Sequence, residues 1–516
     1  MPNPAWQAGE CKGRGKEQPS GLAFAMWTRV ADSLRAAARL KGARSFLQGE
    51  KWRTDAAHLE WPGHACRSQA AAAVHPFGRT QGTSWMRLTG LQMTDFRATR
   101  ELEIGFELDV TVIVGRNGAG KTSILDALCI TISFLRDALS RARRPDEGHP
   151  VQRAPYTRLD FRKGAASICI RLTFDMSDEL KGRRLESPRG EVSARIESKE
   201  EGSVLNVHTP TGLFDEWSRS DAPRPRFIYF RQERGFDSAD AVGSRKGDAR
   251  LLDPEAVQDS SLERDLRAIV DLEAWWDRHD AQEARRVRDG DREYRNPQLQ
   301  AIRRLVARMD GFSGVAFDSA AYPPGLHFVK DDGTRVHVRA LSSGERSFIV
   351  LLADLARRLQ VFAPDRPLEE ISATVLIDEI ELNLHPAWQS RIVPMLSEAF
   401  ASCQFIVTTH SPQVLSGVES RQVRIVEVNE SDGLSKVTVP RSTRGRTSNY
   451  LLEGVLGASE RFPPIDAEIE SFNAAIDDGD SDAAADRLAA IEREIGADAA
   501  TLLVLHKRLK TLRAAE

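Results

Sequence analysis

The chain has 516 residues, of which 41 % are hydrophobic and 28 % are charged, a composition typical of a globular protein with more than one core. Its net charge of −3 excludes a general electrostatic attraction to nucleic acid. No run of about 18 apolar residues occurs, so no membrane-spanning helix is predicted. The five cysteines form no C-x-x-C pair, which argues against a disulfide framework or a zinc site and favours the reducing cytoplasm.

Residues 1–85 differ in character from the rest of the chain. Five of the nine tryptophans fall here without a helical or strand period: Trp6, Trp27, Trp52, Trp61 and Trp85. We interpret this segment as an N-terminal extension that is disordered or mis-annotated, and we expect the natural protein to begin at Met86.

A first lobe is predicted over residues 86–235, and its most informative feature is a glycine-rich loop. Leu108–Val114 is apolar and β-branched, as a buried strand would be, and Thr122–Ile130 is apolar at helical spacing. Gly115-Arg-Asn-Gly-Ala-Gly-Lys-Thr122, between them, matches the phosphate-binding pattern G-x-x-x-x-G-K-[ST]. A glycine-rich turn with a surface lysine is the alternative, and the strand and helix around the loop argue against it.

The residue types in this loop suit a triphosphate. Gly115, Gly118 and Gly120 allow a tight turn whose N–H groups point inward at the positive end of a helix, which is an anion site. Lys121 would reach the β- and γ-phosphate oxygens, and the hydroxyl of Thr122 would bind Mg²⁺. The sequence therefore predicts binding of ATP and Mg²⁺.

Residues 236–325 are predicted to be a polar, partly helical insertion. One helix runs from Leu262 through the Trp275–Trp276 pair, and another covers 298–309. No sustained heptad repeat occurs, so any arm here is a short stub and not a coiled coil.

A second lobe is predicted over residues 326–446. It opens with a hairpin, 326–330 and 335–338, and continues into Leu341-Ser-Ser-Gly-Glu345 followed by an apolar helical face. A Ser-Gly step that opens a helix is a second anion site. Since the chain already has one phosphate loop, we expect this second site to complete the site of another protomer.

Two acidic residues end the next predicted strand, Ala373–Ile377. Ligands bind at the carboxyl edge of such sheets, which is where Asp378 and Glu379 would lie. We predict that Asp378 holds Mg²⁺ and that Glu379 orients or deprotonates the attacking water. A strand-terminal acidic pair turned to solvent is the alternative.

A further strand, Gln404–Thr409, ends in His410. A neutral imidazole at this edge could hydrogen-bond the γ-phosphate and sense its presence, so we count His410 with Glu379 as catalytic. A structural histidine is the alternative.

The tail, residues 447–516, is predicted to be helical. Three short amphipathic helices cover 465–476, 482–495 and 498–512, separated at Gly479 and Gly496. The tail would either cap the preceding lobe or dock a partner protein, and the sequence leaves both open.

Taken together, these motifs resemble the ATP-binding-cassette (ABC-type) ATPase heads of the SMC/RecF class, over about residues 86–446. Asp95-Phe-Arg97 resembles the opening of that class, and 379–386 resembles the loop of its stand-alone members. Ser343 and Glu345 depart from the Gly and Gln of the transporter consensus, and no glutamine could be assigned to the Q-loop, since Gln152 and Gln232 both fit poorly. The resemblance implies an α/β fold, a mixed P-loop sheet with helices, a short helical insertion and a helical tail.

The resemblance also implies a set of nucleotide contacts. The residues expected at the nucleotide are Arg97, Gly115, Asn117, Gly118, Ala119, Gly120, Lys121, Thr122 and Ser123, with Ser342 and Gly344 supplied by the other protomer of a head-to-head ATP sandwich.

The segment Tyr450–Gly457 and the tail resemble the stand-alone anti-phage defence ATPases, Septu PtuA and the retron-associated ATPases. That resemblance implies a homodimeric or larger ATPase that controls a separate nuclease effector. A RecF-like DNA repair protein that loads on DNA under ATP control, and a scaffold that binds ATP without turnover, are the alternatives.

Basic residues make DNA or RNA a further candidate partner. They fall in two groups: Arg136, Arg141, Arg143, Arg144, Arg153, Arg158, Arg162 and Lys163, and then Arg285, Arg286, Arg288, Arg303, Arg304 and Arg308. Acidic residues interleave the second group, and a solvated surface would also explain both.

Overall fold

The computed structural model describes residues 86–143, 156–176, 189–197, 203–208, 225–232, 249–254, 256–258, 268–429, 432–458, 463–496 and 500–515. The extension predicted at 1–85 lies outside the described residues, as do Gln152, Arg144 and Arg153.

A mixed sheet of six strands carries the functional motifs. Its strands are β3 (Val110–Val114), β7 (Phe227–Phe230), β11 (Thr374–Ile377), β12 (Gln404–Thr408), β13 (Val423–Val428) and β14 (Ser435–Thr438). The order across the sheet is β14-β13-β3-β12-β11-β7, and each pairing is parallel except that of β13 with β14. The residues of β3, β7, β11 and β12 are all buried, which explains their continuous apolar runs. Parallel pairing brings the carboxyl ends of these strands to one edge.

A second, antiparallel sheet packs on the first. Its order is β2-β1-β4-β5-β6, from β1 (Met86–Phe96), β2 (Thr99–Gly105), β4 (Ser167–Met176), β5 (Arg189–Glu197) and β6 (Ser203–His208). One side chain ties the two sheets together. Gln404, at the start of β12, accepts from the N–H of Leu88 at 2.8 Å and donates to the carbonyls of Leu88 and Glu107 at 2.7 and 2.8 Å.

The helices lie around these sheets. They are α1 (Lys121–Arg143), α2 (Ala268–Arg288), α3 (Pro297–Val306), α4 (Ser343–Phe362), α5 (Pro386–Gln389), α6 (Ile392–Ala399), α7 (Pro412–Ser416), α8 (Ser448–Gly454), α9 (Pro463–Asp477), α10 (Ser481–Ile495) and α11 (Ala500–Ala515). Helix α1 lies in the apolar cluster shared by both sheets, and α4 packs in the cluster that also holds α2 and α3. None of the described helices is long and apolar enough to cross a bilayer.

The short helical insertion is confirmed where the structure describes it. Helix α2 carries the buried Trp275 and Trp276 and extends to Arg288, and α3 begins at Pro297 behind the side-chain cap of Asn296. A three-stranded antiparallel sheet follows, in the order β10-β9-β8: β8 (Phe312–Asp318), β9 (Gly325–Lys330) and β10 (Arg335–His337). Strands β9 and β10 are the predicted hairpin, and they deliver the chain to α4.

The tail forms three helices, as predicted. The buried residues of α9, α10 and α11, among them Phe472, Leu488 and Leu505, form one apolar cluster made of tail residues. By contrast, Leu451 and Val455 of the preceding segment pack in the large cluster of the ATPase core. The α/β fold class predicted from the motifs is confirmed.

Candidate active site

The glycine-rich loop joins β3 to α1, which is the strand–loop–helix context that the pattern requires. Gly118 and Gly120 have φ angles of 83° and 85°, in the left-handed region where a side chain is strained. The loop closes through a hydrogen bond from the N–H of Ala119 to the carbonyl of Arg116 at 3.1 Å. Asn117 is exposed at the tip of the loop, and Ala119 is buried beneath it.

Lys121 is buried at the start of α1. Its Nζ donates to the carbonyls of Gly115 and Arg116 at 3.0 and 3.1 Å, so the ammonium closes the loop on itself. Burial lowers the pKa of Lys121, and the nearby carboxylates of Asp378, Glu379 and Glu381 oppose that shift.

Asp378 meets the start of α1 from the end of β11. Its Oδ1 accepts from Thr122 Oγ1 at 3.3 Å and from Thr408 Oγ1 at 2.6 Å, and Asp378 is only 2 % exposed. A hydroxyl and a carboxylate are oxygen ligands that suit Mg²⁺, which usually takes few protein ligands beside phosphate oxygens and water. The described residues contain no group of three or more His, Cys, Asp or Glu that could hold a metal ion.

Glu379 is held in an unusual backbone conformation. Its φ is 46°, a left-handed value. Such a conformation costs a residue with a side chain about 1–3 kcal/mol and persists only where the surrounding contacts offset that strain. Its N–H donates to Thr408 Oγ1 at 2.8 Å, so one threonine hydroxyl orients both Asp378 and Glu379.

Gln232, which the sequence left unassigned, contacts Glu379 directly. Its Nε2 donates to Glu379 Oε1 at 2.9 Å. The signal lies in the strand order: β7 pairs in parallel with β11, with Phe230 opposite Ile377, so the residues after the two strands lie level. The structure therefore places Gln232 at the site, although the sequence alone gave it a poor fit to the Q-loop.

His410 follows β12 at the same edge. Its backbone N–H donates to Glu381 Oε1 at 2.5 Å, which ties the end of β12 to the loop after Glu379. Burial lowers the pKa of His410, and the positive charge of Lys121 lowers it further, against the pull of three carboxylates. The imidazole is accordingly neutral near pH 7.

Arg97 lies beside the first turn of α1. It forms ion pairs with Asp126 at 2.9 Å and Asp160 at 2.8 Å, and its Nη1 lies 3.5 Å from Ser123 Oγ. Arg231 shares Asp126, at 2.6 Å. The structure thus brings Arg97 and Ser123 to the phosphate loop, with the guanidinium already engaged by two carboxylates.

Ser342 and Gly344 lie at the start of α4. Ser342 is the exposed N-cap of α4, and among the described residues its side chain bonds to Glu345 alone: Oγ donates to Glu345 Oε2 at 2.8 Å and accepts from the N–H of Glu345 at 3.3 Å. A Cβ on Gly344 would lie 2.7 Å from the carbonyl oxygen of Asn383, so the helix start is pressed against the loop after Glu379.

Several of the basic residues considered for nucleic acid already have acidic partners. Arg162 pairs with Asp95 at 3.8 Å, Arg303 with Glu283 at 3.2 Å, and Arg308 with Glu398 at 3.4 Å. A nucleic-acid surface stays a prediction.

Comparison with known proteins matches residues 110–416, more than half of the chain, to the family described as AAA domain, putative AbiEii toxin, Type IV TA system. This range contains the phosphate loop, Asp378, Glu379 and His410.

The chain is also similar to curated relatives and to solved structures. The chain is 25 % identical to the Retron Ec83 probable ATPase of Escherichia coli over 74 % of this chain and 78 % of the relative. It is 27 % identical to the Septu protein PtuA of Bacillus thuringiensis over 28 % of this chain and 38 % of that protein. A solved SMC head bound to the C-terminal winged-helix domain of ScpA is similar at 19 % identity and a TM-score of 0.39, covering 68 % of this chain and 97 % of that one, a likeness too distant to carry an argument.

Proposed function

Because the chain belongs to the family described as AAA domain, putative AbiEii toxin, Type IV TA system, and is an ATPase, we propose that it is a nucleotide-gated dimeric switch in cytoplasmic anti-phage defence. Two protomers sandwich ATP and Mg²⁺ between the phosphate loop of one and the Ser342–Gly344 segment of the other. The closed dimer controls a separate nuclease effector.

One observation carries the dimeric part of the proposal. Thr122 of the phosphate loop contacts Asp378, Gln232 contacts Glu379, and His410 follows β12 at the same sheet edge, whereas the Ser342 hydroxyl is exposed and bonds within its own helix turn. A helix N-terminus with a serine cap is suited to an anion, and a second protomer would supply that anion as the γ-phosphate. Oligomers with two-fold symmetry bring the same two surfaces together twice, which would complete two sites.

Within the composite site each residue has a chemical task. Lys121 would leave its two loop carbonyls for the β- and γ-phosphate oxygens, and Thr122 and Asp378 would hold Mg²⁺, which neutralises phosphate charge. Glu379 would orient the attacking water and accept its proton, with Gln232 fixing the carboxylate. Neutral His410 would donate a hydrogen bond to the γ-phosphate without adding charge.

The defence role rests on the resemblance to the Septu and retron-associated ATPases, several of which the chain matches in sequence. The tail, which has an apolar core of its own, is the part of the chain where we would place the effector. These two points support a separate effector better than a nuclease within the chain.

The dimeric site can be tested by mixing two inactive full-length variants. Lys121→Met loses the phosphate-loop half, and Ser342→Arg loses the signature half. In a 1:1 mixture, heterodimers keep one intact composite site, so hydrolysis should recover to about a quarter of the wild-type rate. A mixture that stays inactive, beside an active wild-type protein that elutes as a monomer from a sizing column run with ATP, would refute the proposal.

The defence role needs a different readout. Cells that express the chain together with its neighbouring genes should resist phage, and Glu379→Gln should change that resistance although the protein is still made. DNA binding that depends on ATP, without any effect on phage, would favour the RecF-like alternative.

A further inference from the structure

The signature segment carries a carboxylate at the point where a phosphate would arrive. Glu345 stands at the third position of α4, and its Oε2 accepts from both the N–H and the hydroxyl of Ser342, at 3.0 and 2.8 Å. Its side chain is 20 % exposed. The anion-binding start of α4 therefore already holds an anion of its own.

That carboxylate conflicts with the proposed role of Ser342. A γ-phosphate that binds Ser342 and Gly344 would come within a few ångströms of Glu345, and two like charges at that range repel each other.

A lysine from another element lies on the same carboxylate. Lys330 is the last residue of β9, and its Nζ lies 2.9 Å from Glu345 Oε1, the oxygen that Ser342 leaves free. The lysine is only 35 % exposed, and its Nζ lies 5.8 Å from the centroid of the Phe312 ring. The ammonium is thus fixed beside Glu345 and is less mobile than a surface lysine would be.

The pKa of Glu345 is in accord with this pairing. Burial acts to raise the pKa of the carboxyl, but hydrogen bonds from Lys330 and Ser342 outweigh it, and the pKa is lowered. Glu345 is therefore charged at pH 7, and the pair with Lys330 is close to neutral as a unit.

We propose that Lys330 is a positioning residue of the composite site, which neutralises Glu345 so that the γ-phosphate of a second protomer can approach Ser342. The inference rests on the proposed dimeric function and adds a residue to it. Lys330 acts through Glu345 and does not touch the nucleotide in this scheme.

The test uses full-length protein and four variants. Lys330→Met removes the charge and keeps the length, and Lys330→Arg keeps the charge. Glu345→Gln removes the anion, while glutamine can still complete the helix cap. The fourth variant combines Lys330→Met with Glu345→Gln. The matched control is Lys436→Met, which changes an exposed lysine on β14.

The measured quantity is the protein concentration that gives half-maximal ATP hydrolysis, which reports self-association. We expect Lys330→Met to raise it about tenfold at low salt and less at high salt, since salt screens repulsion. Lys330→Arg and Lys436→Met should match the wild type. The double variant should return to within about twofold of Glu345→Gln.

Three results would overturn the inference. If the double variant is as defective as Lys330→Met, the lysine acts by packing and not by charge. If Lys330→Met associates as well as the wild type, the charge is not needed. If the wild type itself hydrolyses ATP as a monomer, the dimeric function fails first, and the inference fails with it.

Discussion

The phosphate-loop half and the signature half of the site differ in how much of their bonding one protomer supplies. In the first half, Thr408 joins Asp378 to the backbone of Glu379, and Gln232 reaches Glu379 from a neighbouring strand. In the second half, Ser342 is exposed and bonds to Glu345 three residues away. The difference teaches that one protomer supplies the contacts around Asp378 and Glu379 itself, whereas under the proposed dimeric function Ser342 would find its phosphate on a second protomer.

The largest effect on the phosphate-loop half is expected from a substitution of Glu379. We expect Glu379→Gln to lower hydrolysis by a factor of about 10²–10⁴, the usual contribution of a general base, with ATP binding kept. Steady-state phosphate release beside nucleotide binding would measure this. Glu427→Gln, at an exposed position on β13, is the matched control and should leave the rate unchanged.

The signature half can be disturbed alone through Gly344. A methyl group there meets the carbonyl oxygen of Asn383 at 2.7 Å, and overpacking of this kind costs about 1–3 kcal/mol. We expect Gly344→Ala to lower hydrolysis about tenfold while each protomer still binds ATP. Gly454→Ala, where an added Cβ meets nothing within 4 Å, is the control. An equal loss in ATP binding would contradict the separation of the two halves.

A substitution at Thr408 tests the hydrogen bonds that hold Asp378 and Glu379 in the phosphate-loop half. Thr408→Val leaves the N–H of Glu379 without its acceptor, which costs about 1–3 kcal/mol of unfolding free energy. We expect a lower melting temperature and a rate several-fold below wild type. Thr374→Val, on the adjacent strand with one bond of 3.5 Å, should have little effect on the rate.

The smallest expected effect is on the pH profile. Burial and the charge of Lys121 lower the pKa of His410. The acidic midpoint of the kcat/KM profile should therefore lie below the ordinary histidine pKa of about 6.5. The unfolded chain binds a proton at His410 at a higher pH than the folded chain does. The free energy of unfolding should therefore fall as the pH drops below about 6.5, and His410 destabilises the fold only in acid. His410→Gln should remove this limb, and His506→Gln on α11 should not.

Much of the phosphate-loop half could be predicted from the sequence because its signals are contiguous. Gly115–Thr122 and the pair Asp378–Glu379 each follow a buried strand, and parallel strands bring such ends together whatever their order. Gln232 could not be assigned, because its place depends on β7 lying next to β11, and strand order is not written in local periodicity. The contact of Lys330 with Glu345 was beyond prediction for a similar reason, since it depends on how a hairpin packs on a helix start.

The tail shows the opposite balance. Its three helices were predicted close to their observed bounds, because amphipathic spacing and the breaks at Gly479 and Gly496 are local. The amphipathic spacing of the tail could not predict whether the tail caps the core. It shows that each helix has an apolar face, but not which surface that face packs against.

Gln404 has a consequence for the order of events during synthesis. It satisfies both backbone groups of Leu88, yet it lies 316 residues later in the chain. At about 5–20 residues per second, the ribosome would deliver it roughly 15–60 s after the first strand. For that interval the two backbone groups of Leu88 remain bonded to water, although the rest of β1 can already pair with β2 and β4.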